Sequence, residues 1–253
     1  MKSIVAISFK NYINNRQKMR SYIDNILQYE FDSSELEIIL FPSMGTLETC
    51  AAELDHSEIN FGSQNICPNK NGAFTGELSI ESLLDLGGKF VEIGHYERRV
   101  FFHEDNHMIN LKCQLALNNG IFPFLCIGED KDCDNLKSDL KAQLVVALAG
   151  INQEQVKNIV IAYEPWWAIG QKEAADINHI SLAHRIVREI LTEMFDKNTA
   201  ESIRIIYGGS VSEETAATII EDKNVNGLFV GRFGHNPEAF LRIADAVLIN
   251  KEV

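Results

Sequence analysis

The chain has 253 residues, 45% of them hydrophobic, and sets 36 acidic residues against 23 lysines and arginines for a formal net charge of −13. That balance excludes nucleic acid and anionic membrane surfaces as partners, and it requires a locally positive pocket for any anionic ligand. The length suits one large α/β domain, and residues 1–253 show no internal linker, low-complexity run or composition shift that would divide them.

Short β-rich apolar runs at 4–9, 37–41, 60–64, 90–93, 122–127, 159–163, 203–207 and 227–230 alternate with helix-period segments. This is the pattern of repeated βα units around a parallel sheet, and eight strands are the number that closes a barrel. A doubly wound open sheet would share these elements, but no Gly-x-Gly-x-x-Gly turn follows the first strand. The clearest helices span 136–148 and 178–194, and in the second Ile180, Ala183, Ile186, Val187, Ile190 and Leu191 form the expected buried stripe. The chain begins without a basic, apolar leader, and no apolar run approaches a membrane span. Cys50, Cys67, Cys113, Cys126 and Cys133 form no CxxC pair and read as reduced thiols of a cytoplasmic protein, several of them filling the core.

In such a barrel, chemistry sits where strands end and βα loops begin. The sixth strand ends at Glu164, where Pro165 stops the ladder, and Trp166, Trp167, Ala168, Ile169 and Gly170 follow as a stiff apolar flap. A carboxylate beneath a flap is where a general base of raised basicity is expected, although a lone Glu after a strand is also an ordinary cap or solvated charge. The other strand ends decide between these. Lys10 follows the first strand and His95 the fourth, while Gly170, Ser210 and Gly231 to Arg232 would supply backbone N–H groups for a phosphate at the same mouth. His103-Glu104-Asp105-Asn106-His107 fits a zinc-protease pattern, but it falls where a helix begins, with Asp105 or Asn106 as cap and no third ligand nearby. No metal site is expected there.

Lys10, Gln64-Asn65, Thr75-Gly76-Glu77, Gly94-His95 with Glu97-Arg98, Gly128-Glu129, Ala162-Tyr163-Glu164-Pro165 with Trp167 to Gly170, and Tyr207-Gly-Gly-Ser-Val211 follow one another in the order and spacing of a known family. By these motifs the whole chain resembles the triosephosphate isomerases. The resemblance implies a single (β/α)8 barrel, a homodimer acting on a phosphorylated sugar of glycolysis and gluconeogenesis, and no cofactor. Glu164 would take a proton from the carbon beside the carbonyl and return it to the neighbouring carbon, His95 would polarise that carbonyl, and Lys10, positioned by a buried Glu97, would hold the phosphate end. Residues 165–172 would close over the substrate, Tyr207 and Ser210 would hold the closed lid, and Gly170, Ser210 and Gly231 would bind the phosphate. The loop 66–76 would dock into the partner and bring Thr75 beside the other chain's Lys10 and His95.

Four places depart from the family. Ser8 and Phe9 replace the usual Asn and Trp before the lysine, Tyr96 replaces the serine after the histidine, Arg232 takes the second position of the last glycine pair, and Gln171-Lys172-Glu173 lacks the usual hinge glycine. A smaller Ser8 would open room at the carbonyl end and Arg232 would add a cation near the phosphate, so a four-carbon erythrulose phosphate is an alternative substrate. A catalytically idle phosphosugar sensor is the other alternative, with the retained Lys10, His95 and Glu164 against it.

Overall fold

The computed structural model describes residues 1–250. Eight strands, β1 Ser3–Ser8, β2 Leu36–Phe41, β3 Asn60–Ser63, β4 Phe90–Ile93, β5 Phe122–Ile127, β6 Val160–Tyr163, β7 Arg204–Gly208 and β8 Gly227–Val230, pair in sequence order, and β1 closes on β8. All pairings are parallel. The open-sheet alternative is therefore excluded. Strands rich in β-branched and aromatic residues are covered on both faces, which is why they read as continuous apolar runs.

Side chains alternate across each strand, so every second residue enters the barrel. Ile4 and Ala6 of β1, Phe90 of β4, Phe124 and Cys126 of β5, Val160 and Ala162 of β6, Ile206 of β7 and Phe229 of β8 meet there in one buried cluster. The rings of Phe41 and Phe124 lie edge to face at 5.0 Å, and those of Phe124 and Phe229 at 5.7 Å, closing the interior against water. The next step along the same columns is polar: Ser8 above Ala6, Glu92 above Phe90, and Glu164 above Ala162. The plug of the barrel thus becomes the floor of its mouth.

Some boundaries differ from the expected ones, for identifiable reasons. β1 stops at Ser8 instead of residue 9 because Phe9 leaves the sheet to pack on Tyr22, 4.8 Å between rings, and Lys10 turns to φ 47°. β7 runs on to Gly208, which pairs with Phe229. The two clearest helices are Leu136–Ala147 and Ile177–Met194, with Asn135 and Asp176 accepting first-turn N–H groups as caps. The buried stripe of the second contains His184, whose Nδ1 bonds Ile180 O at 2.9 Å, while Ile186 sits half-buried at its edge. A paired ring nitrogen lets a histidine occupy a core position that polarity alone would have denied it. No helix among the described residues is long and apolar enough to cross a membrane.

Candidate active site

Lys10 and Ser210 both occupy the left-handed region, at φ 47° and φ 54°, unusual for residues with side chains. Gln64 holds the first in place, its Nε2 donating to Lys10 O and Phe41 O, each at 3.0 Å. Lys10 Nζ is thereby aimed over the mouth, where it meets Glu97 Oε1 at 2.7 Å. Burial alone would lower the Lys10 pKa, but Glu97, Glu164 and Glu92 together outweigh it and raise the value. Glu97 itself is half-exposed in the single chain, not buried as expected, because it sits in the open first turn of the helix Tyr96–Phe101.

His95 caps that helix. Its Nδ1 accepts the Glu97 N–H at 3.1 Å, so the proton of the neutral ring resides on Nε2, which faces the mouth. Burial, then the charges of Lys10 and Arg99, hold the His95 pKa well below its ordinary value, so the ring is neutral at physiological pH. Arg99 is itself fixed, donating to Gly94 O at 2.6 Å and Cys126 O at 3.0 Å.

Glu164 is 6% exposed, and its Oε2 lies buried without a hydrogen-bond partner, 3.8 Å from His95 Nε2. Burial raises its pKa to about 7, against the lowering pull of Lys10 and of the Cys126 thiol. A carboxylate that titrates near neutrality is a competent base. Two glycines make its position possible. A Cβ on Gly208 would stand 2.7 Å from Glu164 Cγ, and one on Gly128 would stand 1.9 Å from Glu164 O.

The flap after Glu164 is more firmly held than its sequence suggests. Glu129 Oε1 receives Trp167 Nε1 at 3.1 Å and Tyr163 OH at 3.1 Å, and His179 Nε2 lies 3.0 Å away. Ser210 Oγ bonds Ala168 O at 2.9 Å and Gln171 O at 2.8 Å, and Tyr207 OH accepts Ala175 N–H at 3.0 Å. Arg232 also donates to Gln171 O, with its guanidinium over the Phe233 ring. The indoles turn away from the cavity. Trp166 packs on Tyr96, ring centroids 5.7 Å apart, Trp167 turns to Glu129, and Ala168 is buried. Only Ile169 and Gly170 of the flap line the space below.

That space, about 120 Å³, gathers Ser8, Lys10, His95, Glu97, Glu164, Gly170, Ser210, Gly231 and Arg232. Tyr207 lies behind it, fully buried, and Thr75 is exposed at the tip of a loop outside it. The Ser8 hydroxyl donates to Glu92 Oε2 at 2.9 Å, and both residues line an adjoining hollow. Glu92 and the Glu129 hub escaped the sequence reading; the available signal for Glu92 was a carboxylate at an inward position of a four-residue buried strand. Glu104 of the zinc-like motif is committed elsewhere, to Lys112 at 2.6 Å and Arg98, while Asp105 caps the helix Asn106–Asn118. No cluster of metal-binding side chains exists among the described residues.

Acid–base groups collected at the C-terminal mouth of a closed parallel barrel, under a latched loop, define a (β/α)8-barrel enzyme. The triosephosphate isomerase family model matches residues 3–247. The chain is 46% identical over 249 residues to the probable triosephosphate isomerase 2 of Listeria monocytogenes serotype 4b, covering 97% of each chain. It is 46% identical to triosephosphate isomerase 2 of Listeria innocua, again over 97% of each, and 40% identical to triosephosphate isomerase of Lawsonia intracellularis, over 97% of this chain and 98% of that one. The chain belongs to the triosephosphate isomerase family, from which the barrel architecture takes its name.

Proposed function

We propose that this protein interconverts dihydroxyacetone phosphate and glyceraldehyde 3-phosphate, the two trioses of glycolysis and gluconeogenesis, by proton transfer through an enediolate. The observation that carries this reading is the partnerless Glu164 carboxylate beside the Nε2 proton of a neutral His95. Glu164 removes a proton from the carbon beside the carbonyl and returns it to the neighbouring carbon. His95 polarises the carbonyl through Nε2–H and relays protons between the two oxygens. Lys10, positioned by Glu97, offsets the charge that develops. Gly170, Ser210 and Gly231 offer N–H groups to the phosphate, while the latches of Tyr207, Ser210 and Arg232 keep the flap over a site freed of water. No cofactor enters the scheme.

The four-carbon alternative loses one of its grounds, since the Arg232 guanidinium is bonded to Gln171 O of the flap. Relatives named as triosephosphate isomerases support the triose. Comparing kcat/KM for dihydroxyacetone phosphate with that for L- and D-erythrulose phosphates tests this: the triose is expected to win by about tenfold or more, and a preference for either tetrose overturns the reading. Absence of turnover on all three would favour the sensor.

The same reading places the active form in a homodimer. A hollow of about 400 Å³ adjoins the site, sharing Ser8, Lys10 and His95 with it and opening beside exposed Tyr12, Met44 and Phe102. A partner's 66–76 loop, with exposed Thr75 and Phe74, is the segment proposed to fill it. Specific activity is expected to fall on dilution below the dimer dissociation constant, in step with loss of the dimer by sedimentation. Monomers that keep full activity would refute the claim. Five free cysteines, four of them buried, support a reducing cytoplasmic setting.

A further inference from the structure

Glu92 is an acid–base group of the mouth to which the proposed proton transfer gives no task. It projects inward from β4, directly above the Phe90 and Phe124 plug, and is only 3% exposed. Its Oε2 accepts the Ser8 hydroxyl at 2.9 Å. Its Oε1 forms no hydrogen bond among the described residues and stands 3.9 Å from His95 Nε2. That separation is too long for a direct bond. It does allow one oxygen atom to lie within ordinary hydrogen-bond length of both Nε2 and Oε1. Glu164 Oε2 lies 3.8 Å from the same nitrogen, and Lys10 Nζ lies 3.1 Å from it.

We propose that Glu92 is a further catalytic residue, a neutral carboxylic acid that donates from Oε1 to the substrate oxygen already bound by His95 Nε2–H, with Ser8 as its positioning residue. The inference rests on the isomerase reading above. Because Ser8 O–H donates to Oε2, the acid proton resides on Oε1, at the hollow that Glu92 lines with Ser8, Lys10 and His95. The enediolate oxygen then sits between two neutral donors, an imidazole and a carboxyl, at the place where negative charge develops. No bond to the proton need break; the hydrogen bond strengthens as the oxygen becomes anionic.

The surroundings keep the acid protonated. Burial, then the Glu164 charge, raise the Glu92 pKa to about 8, and Glu97 adds to this, while Lys10 and the Ser8 hydroxyl oppose it. The groups facing it are Lys10 beyond β1, Cys126 on β5, Glu164 beyond β6, and His95 and Glu97 beyond its own strand. His95 is neutral, and burial with the nearby carboxylates pushes the Cys126 thiol far up, so neither titrates in this range. Ionisation of Glu92 as the pH passes about 8 would turn a donor into a second anion beside Glu164 and the enediolate.

The test is the pH dependence of kcat and kcat/KM for dihydroxyacetone phosphate in the wild type, Glu92→Gln, Glu92→Leu and Ser8→Ala. Wild-type activity is expected to decline above about pH 8. Glu92→Gln keeps a donor that cannot ionise, so it loses part of kcat but also loses the alkaline decline. Glu92→Leu removes the donor and is expected to lower kcat about 100-fold at neutral pH. Ser8→Ala removes a bond that favours the carboxylate, so its alkaline decline moves to higher pH. An unchanged alkaline limb in Glu92→Gln, or a Glu92→Leu kcat within about threefold of wild type, would overturn the proposal. An inactive wild type would instead sink the isomerase reading, which separates the two failures.

Discussion

Glu164→Gln is expected to lower kcat by about 1,000-fold or more while leaving affinity for an unreactive phosphoglycolate-like ligand nearly intact. The amide has the shape of the carboxylate it replaces but cannot take a proton. The space for it is fixed by the missing Cβ atoms of Gly208 and Gly128, so the exchange leaves the backbone where it was. A variant that retained even a tenth of wild-type turnover would remove Glu164 from the role of base. Stability gives an independent reading of the same residue. The folded-state pKa, about 7, lies above the ordinary 4.5 of a glutamate, so the folded protein holds this proton more tightly than the unfolded chain. Stability from this group is full below pH 4.5 and is lost as the pH climbs from 4.5 to about 7, an effect on the order of 3 kcal/mol. Glu164→Gln should therefore melt higher than wild type at pH 8 and show no such advantage in acid. An equal melting temperature at pH 8 would contradict the raised pKa.

Lys10→Met should reduce kcat/KM on the order of 1,000-fold, because it strips the mouth of the ammonium group that offsets three carboxyl groups. In a chain with a net charge of −13, a phosphate dianion reaches this site only against an adverse field, and the Lys10 charge is what reverses that field locally. The substitution has a second signature. Lys10 lowers the pKa of both Glu164 and Glu92, so its removal moves the acid limb of the pH profile upward. Weakened activity without that displacement would mean that Lys10 serves phosphate binding alone. A kcat/KM within about tenfold of wild type would exclude it from both tasks.

Much of the site was legible because its signals are local. Pro165 ends β6 by removing a ladder donor, so Glu164 had to stand at a strand's C-terminal end. Lys10 and His95 each follow a buried apolar run, and the run itself says where the polar residue emerges. What failed were readings that depend on where a long side chain goes after it leaves the backbone. Arg232 was expected to add a cation near the phosphate; it lines the pocket, but its guanidinium is tied to the Gln171 carbonyl of the flap. Trp166 and Trp167 follow Glu164 in the chain, but nothing in their spacing indicates that Tyr96 and Glu129 draw them aside. Ser8 was expected only to open room, because nothing near it in the chain indicates that its hydroxyl bonds Glu92, 84 residues away.

The sequence by itself determined eight parallel strands, the polar ends that collect at one mouth, and the family to which the chain belongs. These follow from alternation along a strand, from proline and glycine chemistry, and from motifs read in order. Only the tertiary structure decided the neutral tautomer of His95, the near-neutral pKa of Glu164, the latched flap and the inward carboxyl of Glu92. Each of these depends on burial and on charges carried by distant strands, and the energy of a charge is set by its distances in space, which the spacing of residues along the chain does not encode.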